Sequence, residues 1–156
     1  MTEFDLRSLL QALHEREVEF VVIGGVAVGA HGFIRGTEDL DVVPDPDADN
    51  LERLARALTD LESILPTAGK RPFSFDGDFG VIRRGGNVTA TTKFGGLDVV
   101  QRAAGVPSYS QLAEDAVESE LLGIPVRVCS LARLRAMKQA QNRTRDRLDL
   151  ENLPEE

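Results

Sequence analysis

The chain has 156 residues, 42% of them hydrophobic and 28% charged, and its formal net charge is −8. This size and composition predict one soluble globular domain, residues 1–156, with a core of ordinary extent. The acidic balance argues against a protein that binds nucleic acid without regard to sequence, and the lone cysteine, Cys129, excludes an internal disulfide framework and a cysteine zinc site.

The sequence shows no segment typical of export or of membrane insertion. Residues 1–5 are acidic and lack the basic-then-apolar layout of a signal peptide. The longest apolar run, residues 20–30, is too short and too rich in glycine to span a bilayer. We therefore expect a cytoplasmic protein with no membrane partner.

The N-terminal third predicts a helix, a strand, a glycine turn and a second helix. Residues 3–17 carry apolar side chains at helical spacing, with Thr2 as the expected N-cap and Asp5 in the first turn. The β-branched run within residues 19–23 predicts a strand buried on both faces, and the next short helix is expected at residues 26–31.

The glycine turn between that strand and helix consists of Gly24 and Gly25. Two residues without a Cβ allow the backbone to turn and to approach a bulky group closely. A helix beginning there would aim its free N–H groups and positive dipole end at the turn, which suits a phosphate.

Two aspartates, Asp39 and Asp41, lie on a strand predicted over residues 38–43. Side chains two positions apart share one face of a strand, about 6.6 Å from each other along the chain. Carboxylates beside a phosphate-binding turn are what divalent cations need. A Gly-Gly turn alone or an Asp-x-Asp alone is more often structural, but their order and spacing favour the functional interpretation.

The middle of the chain predicts a helix over residues 50–62, capped by Asp47 or Asn50. Alternating fragments then predict strands at residues 71–75, 79–83 and 88–94. The segment Asp76-Gly77-Asp78 is interpreted as a hairpin turn because of its central glycine.

Asp98 lies in a second strand-forming run, residues 96–100. A charge among apolar neighbours is unfavourable unless it is paired or bound to a metal. A buried acid that only caps a loop is the alternative, and the upstream aspartate pair favours a functional role.

The last part of the chain predicts a helix over residues 109–117, a hairpin turning at residues 123–125, and a basic C-terminal helical segment, residues 130–153, with helices at residues 131–141 and 144–153. On one continuous helix Lys138, Asn142 and Arg145 would share a face.

Charge is unevenly distributed between two segments of the chain. Residues 130–147 hold six bases and one acid, whereas residues 37–62 hold nine acids and two bases. This asymmetry suits a protein that binds a nucleoside triphosphate and its acceptor. Two solvated helix faces would also produce part of the charge asymmetry.

The order of these features resembles the signature of the nucleotidyltransferase superfamily that includes DNA polymerase beta and the aminoglycoside nucleotidyltransferases. A longer string is similar to the AbiEii-type toxin nucleotidyltransferases, and it comprises Gly24-Gly25-Val26-Ala27, His31-Gly32, Arg35, Thr37, Asp39-Leu40-Asp41, Lys138, Arg143, Asp146 and Asp149. The chain departs from much of the superfamily in having Gly24-Gly25 instead of Gly-Ser, which removes a hydroxyl that could bind phosphate or metal.

The resemblance implies a mixed α/β domain of the minimal nucleotidyltransferase type, with a short, partly antiparallel sheet flanked by helices. The implied reaction moves a nucleoside monophosphate from a nucleoside triphosphate to an acceptor hydroxyl and releases pyrophosphate. Asp39 and Asp41 would bind two Mg²⁺ ions, which Mn²⁺ could replace, and Asp98 would complete the site and take the acceptor's proton.

The resemblance also implies roles for the residues around the acids. The Gly24-Gly25 turn would receive the triphosphate, Lys138 and Arg35 would neutralise its charge, and Thr37 would orient this edge by hydrogen bonding or simply pack. Asp146 and Asp149 are expected to form ion pairs with Arg143 or Arg147.

The acceptor and the partners are left open. Toxin-like relatives modify tRNA ends, the aminoglycoside branch modifies a drug, and other relatives modify a partner protein. The basic C-terminal segment places an RNA acceptor slightly ahead. A cognate antitoxin and a homo-oligomer are further partners to consider, and a non-catalytic module that binds a nucleotide or a protein is the alternative to an enzyme.

Overall fold

A computed structural model describes residues 3–67 and 69–155 of the chain. The helices in those ranges are α1 Leu6–Glu15, α2 Gly24–Ala30, α3 Ala48–Asp60, α4 Phe75–Arg83, α5 Tyr109–Glu114, α6 Leu131–Gln141 and α7 Thr144–Asn152. The strands are β1 Phe20–Ile23, β2 Asp39–Pro44, β3 Val88–Thr92, β4 Gly95–Val99, β5 Val117–Leu121 and β6 Ile124–Val128. None of these helices is long and apolar enough to cross a bilayer.

The six strands form one mixed sheet in the order β3-β4-β2-β1-β6-β5. The central strand β1 pairs antiparallel with β2 and parallel with β6. Strand β2 pairs parallel with β4, and each outer strand, β3 or β5, forms an antiparallel hairpin with its neighbour. The mixed α/β fold with a short, partly antiparallel sheet is therefore confirmed.

Strand β1 is buried because it lies in the middle of the sheet and helices cover it. Val21 and Val22 are fully buried, as the β-branched run predicted. Leu9, Leu10 and Leu13 of α1 are equally buried, and each contributes about 1.5 to 3 kcal/mol of hydrophobic stabilisation.

Helix α1 begins at Leu6, and its N-cap is Asp5, whose carboxylate accepts hydrogen bonds from the backbone N–H and the hydroxyl of Ser8. Asp5 thus caps the helix and does not lie in its first turn. Thr2, the cap expected from the sequence, lies outside the described residues.

The strand predicted over residues 79–83 is wrong, because this segment belongs to helix α4. The aromatic rings of Phe75 and Phe79 stack at 5.0 Å, four positions apart on one helix face. Asp78, interpreted as part of a hairpin turn, lies in the first turn of α4 and accepts a hydrogen bond from the backbone N–H of Ser74. The two glycines of α4 obscured its helical periodicity in the sequence.

The hairpin between β5 and β6 turns earlier than predicted. Leu122 and Gly123 form the turn, both with positive φ, and Ile124 and Pro125 belong to β6. The preceding helix α5 also ends earlier, at Glu114. Ile124 is buried in the core, which explains why it lies in the strand.

The C-terminal segment forms two helices, α6 and α7, because the first one ends at Asn142. Lys138, Asn142 and Arg145 therefore do not share one continuous helix face. Asn142 adopts the left-handed conformation with φ of 49°, which asparagine tolerates better than most residues. The helix expected at residues 144–153 is confirmed as α7. Upstream of these helices, Cys129 is a buried core thiol. Its burial raises the pKa of the thiol to about 12.

Candidate functional site

The parallel pairing of β2 with β4 brings the three predicted acids onto one face of the sheet. The register aligns Asp41 with Asp98, and Asp39 with Gly96. A Cβ added at Gly96 would meet the Asp39 carboxylate, so the absence of a side chain there makes room for that acid. The alternating neighbours of these acids, Leu40 and Leu97 among them, are fully buried in the core.

Asp41 and Asp98 are register neighbours, and the repulsion between their carboxylates favours a proton on Asp41. Burial raises the pKa of Asp41 to about 7, and the charges of Asp98 and Asp39 reinforce the rise. Burial raises the pKa of Asp98 too, although hydrogen bonds from Asp41 and Thr89 oppose that rise.

One oxygen of the Asp41 carboxyl group, Oδ1, is buried without a hydrogen-bond partner among the described residues. Buried carboxylate oxygens are normally paired, because removing them from water is unfavourable. A cation or a bound ligand at this position would supply the missing partner.

Gly24 and Gly25 are the first two residues of α2, whereas the sequence predicted them as a turn before a helix at residues 26–31. Gly24 has φ of 72°, and a Cβ added there would meet the Asp41 carboxylate. A Cβ at Gly25 would lie 2.9 Å from Oγ1 of Thr37 and 3.3 Å from Nη1 of Arg35. Both glycines are required because this backbone lies directly against the acids and their neighbours.

We expect Gly25→Ala to lower any catalytic activity of this cavity by about 10- to 100-fold, because Thr37 and Arg35 must move by tenths of an ångström to accommodate the new methyl group. Gly29→Ala is the matched control on the same helix, because its methyl group would meet nothing within 4 Å. It should leave activity unchanged and stabilise the fold by about 0.4 to 1 kcal/mol. Steady-state assays and thermal unfolding of both variants check this, and equal activities would contradict it.

Each predicted cation of the site already has a carboxylate partner. Lys138 is only 4% exposed, and its Nζ lies 3.2 Å from Asp146 and 3.1 Å from Asp149. Arg35 makes a bidentate ion pair with Asp149, in which Nε and Nη2 donate to the two carboxylate oxygens at 2.7 and 3.0 Å. Thr37 donates its hydroxyl to the backbone oxygen of Asp39 at 3.2 Å, so it lies at the same edge as the acids.

The remaining partners of Asp146 agree only in part with the sequence. Arg143 pairs with Asp146 at 2.8 Å, as predicted. Arg147 instead donates to the hydroxyl of Thr144 at 3.4 Å. The pairs that Lys138 and Arg35 make with α7 were not predicted, although acids three positions apart on a helix already indicated a shared face.

Burial alone would raise the pKa of Asp146, but the ionic contacts reverse that effect. Hydrogen bonds from the side chain and backbone of Arg143 and from Lys138 lower the pKa of Asp146 to about 2. The carboxylate is therefore charged throughout the physiological range.

A cavity of about 240 Å³ joins the predicted residues. Gly24, Gly25, Arg35, Thr37, Asp39, Asp41, Asp98 and Lys138 all line it. A larger cavity, of about 460 Å³, lies near Phe20 at the other end of β1, but it contains none of these residues. The chemistry of the lining, and not the volume, therefore selects the smaller cavity as the candidate site.

The acids suit Mg²⁺, because it prefers oxygen ligands. Within residues 3–67 and 69–155, no three acidic, histidine or cysteine side chains converge tightly enough to enclose an ion by themselves. Mg²⁺ usually binds through one or two carboxylates and keeps its waters or takes phosphate oxygens. The adjacent Asp41 and Asp98, with the orphaned Oδ1 of Asp41, fit that mode of binding.

Comparisons with protein-family models and with curated proteins found no match. Two solved structures are similar to the chain over 94% of its length. TM1012 from Thermotoga maritima, described as a candidate nucleotidyltransferase, matches with a TM-score of 0.58 and 14% identity over 88% of its own chain. The antibiotic-resistance factor ANT(2″)-Ia, described as having substrate-regulated conformational dynamics, matches with a TM-score of 0.61 and 17% identity over 78% of its chain. The chain therefore shares the fold of these two structures, and its mixed sheet and helices are consistent with a nucleotidyltransferase fold.

Proposed function

We propose that this protein is a metal-dependent nucleotidyltransferase, which moves a nucleoside monophosphate from a nucleoside triphosphate to an acceptor hydroxyl. The observation that carries the proposal is the alignment of Asp41 with Asp98 beside Gly24. The three predicted acids and the glycine backbone share one cavity, as this chemistry requires.

In this proposal Asp39, Asp41 and Asp98 would hold two Mg²⁺ ions, which Mn²⁺ could replace. The metal would neutralise the charge that develops on the triphosphate and activate the acceptor oxygen. Asp98 would take the proton of the acceptor hydroxyl, because its carboxylate lies beside Asp41 and lines the same cavity.

Other residues of the cavity bind the triphosphate. The backbone at Gly24 and Gly25 approaches the phosphates without steric hindrance from a side chain. Arg35 and Lys138 supply positive charge, and Thr37 fixes the edge of β2 through its hydrogen bond to Asp39.

Transfer of label from the α-phosphate tests the proposal. The protein is incubated with Mg²⁺, each α-labelled triphosphate in turn and total RNA, or with small hydroxyl-bearing drugs instead of RNA. Label that becomes attached to an acceptor supports the proposal and identifies the acceptor class. A non-catalytic binding module would instead retain the triphosphate intact, which would contradict the proposed activity.

An RNA acceptor, specifically a tRNA end in a toxin–antitoxin system, is the version that the basic C-terminal segment supports best. In this version of the proposal, the protein is similar to AbiEii-type toxins and has a cognate antitoxin as its partner. Arg145 lines the cavity and makes no ion pair among the described side chains, so its charge is available to an acceptor phosphate.

With an RNA acceptor, Arg145→Gln should raise the acceptor KM and flatten its dependence on salt by about 0.7 to 0.9 units of slope. Arg147→Gln is the control, because Arg147 does not line the cavity. It should change both quantities less. Acceptor kinetics between low and high salt provide the measurement, and equal slopes in Arg145→Gln and the parent protein would argue against an RNA acceptor.

A further inference from the structure

The buried face of helix α7 is acidic, whereas most surface helices bury an apolar stripe. Asp146 and Asp149 are both 0% exposed, and they are the buried residues of this helix. Buried carboxylates are tolerated only when cations and hydrogen bonds compensate them. The ion pairs of these two acids therefore fix the position of α7 against the rest of the protein.

Asp149 holds Arg35 from the far end of the chain, 114 positions away. Its two oxygens accept from Nε and Nη2 of Arg35 at 2.7 and 3.0 Å, and the Arg35 side chain is only 13% exposed. This bidentate contact fixes both the position and the plane of the guanidinium group.

The contact with Asp149 leaves Nη1 as the nitrogen of Arg35 that faces the glycine backbone. Nη1 donates to the backbone oxygen of Gly36 at 3.2 Å and lies 3.3 Å from the place a Cβ would occupy at Gly25. Oriented in this way, the guanidinium lies at the wall of the cavity formed by the glycines.

The network keeps a net positive charge after its internal pairing. Three cations, Arg35, Lys138 and Arg143, face the two carboxylates Asp146 and Asp149. One positive charge therefore remains for an anionic ligand. A guanidinium whose orientation is already set loses less conformational entropy on binding than a free side chain does.

We infer that Asp149 is a positioning residue, which holds Arg35 in the orientation that binds the polyphosphate of the nucleotide. This inference rests on the proposed function, because it assigns the polyphosphate to the Gly25 side of the cavity. Asp149 itself touches no substrate in this arrangement. A purely structural Asp149 would hold α7 without affecting polyphosphate binding.

Calorimetry with Mg²⁺ and inorganic triphosphate tests the inference without any catalytic step. Arg35→Lys keeps the positive charge but removes the planar guanidinium that binds in a bidentate manner. It should therefore weaken triphosphate binding by about tenfold or more. Asp149→Asn should weaken binding by a similar factor. In the double variant the two effects should not add, since both remove the same oriented contact.

Asp146→Asn is the matched control, because Asp146 lies on the same helix with the same burial but does not contact Arg35. It should lower the melting temperature and weaken triphosphate binding less than Asp149→Asn does, because it releases Lys138 but leaves Arg35 in place. If Asp149→Asn fails to fold, Asp149→Glu decides the question, because it keeps the buried negative charge but displaces the carboxylate that orients Arg35.

Two results overturn the inference: unchanged triphosphate affinity in Arg35→Lys and Asp149→Asn, or no triphosphate binding by the parent protein. Failure of the proposed function looks different. In that case triphosphate binding and the non-additive pattern persist, whereas no α-label reaches any acceptor, and the inference stands as an assignment of an anion site.

Discussion

Asp41→Asn is expected to lower nucleotidyl transfer by on the order of 10³-fold, because it removes a carboxylate from the centre of the proposed metal site. Asp41 is aligned with Asp98, and a Cβ at Gly24 would touch it, so it lies between the second strand acid and the glycine backbone. Mg²⁺ with a triphosphate should raise the melting temperature of the parent protein and not that of the variant.

The same variant should be more stable than the parent protein in the absence of metal, by about 1 to 3 kcal/mol at neutral pH. The pKa of Asp41 rises from 3.8 to about 7 on folding, so the folded chain binds this proton more tightly than the unfolded chain. The stability that depends on this proton is complete at low pH and is lost as the pH rises towards 7. Asparagine does not titrate, so the variant should not show that loss.

Asp76→Asn is the control for Asp41→Asn, because Asp76 lies exposed in the first turn of α4, outside the cavity. It should change neither the melting shift nor the activity. Loss of metal binding in Asp76→Asn, with full binding in Asp98→Asn, would show that the third acid has been wrongly assigned.

Asp146→Asn is expected to destabilise the fold by about 3 kcal/mol, because Lys138 and Arg143 would lose a fully buried partner. Asp60→Asn is the matched control, since the pair between Asp60 and Arg16 has the same chemistry but is exposed on both sides. That change should be worth at most about 1 kcal/mol. Urea unfolding of the two variants measures the difference, and equal losses of stability would contradict the role assigned to burial.

The pH dependence of the buried pair follows from the lowered pKa of Asp146. Its folded-state pKa is about 2, below the ordinary value of 3.8, so the unfolded chain binds the proton more tightly. The stabilisation is complete above pH 3.8 and is lost as the pH falls towards 2. The stability of the parent protein should therefore fall as the pH drops from 3.8 towards 2, and Asp146→Asn should lack this component of the acid transition.

The central part of the site could be predicted from the sequence because the signals are local. A β-branched run, two glycines and two aspartates with a spacing of two each act within a few residues. The strand and the shared face of Asp39 and Asp41 follow from that spacing alone. The environment of Asp98 also followed from its apolar neighbours, but its alignment with Asp41 depends on strand pairing over a long separation.

The contacts that the sequence did not predict depend on tertiary structure. Asp149 pairs with Arg35 across 114 positions, and no local pattern specifies that partner. Helix α4 was misassigned because its glycines weaken helical propensity, whereas the stacking of Phe75 on Phe79 favours the helix. In both cases packing between distant segments outweighs the local signal.

The most direct test of the central claim is the release of pyrophosphate from nucleoside triphosphates, measured with Mg²⁺ in the presence of total RNA or small hydroxyl-bearing acceptors. The proposed carboxylate site predicts release that matches the label transferred, that stops when Mg²⁺ is chelated, and that is lost in Asp41→Asn and Asp98→Asn. Triphosphate binding by a folded parent protein without pyrophosphate release from any of the four nucleotides, or equal release by Asp41→Asn, would contradict it.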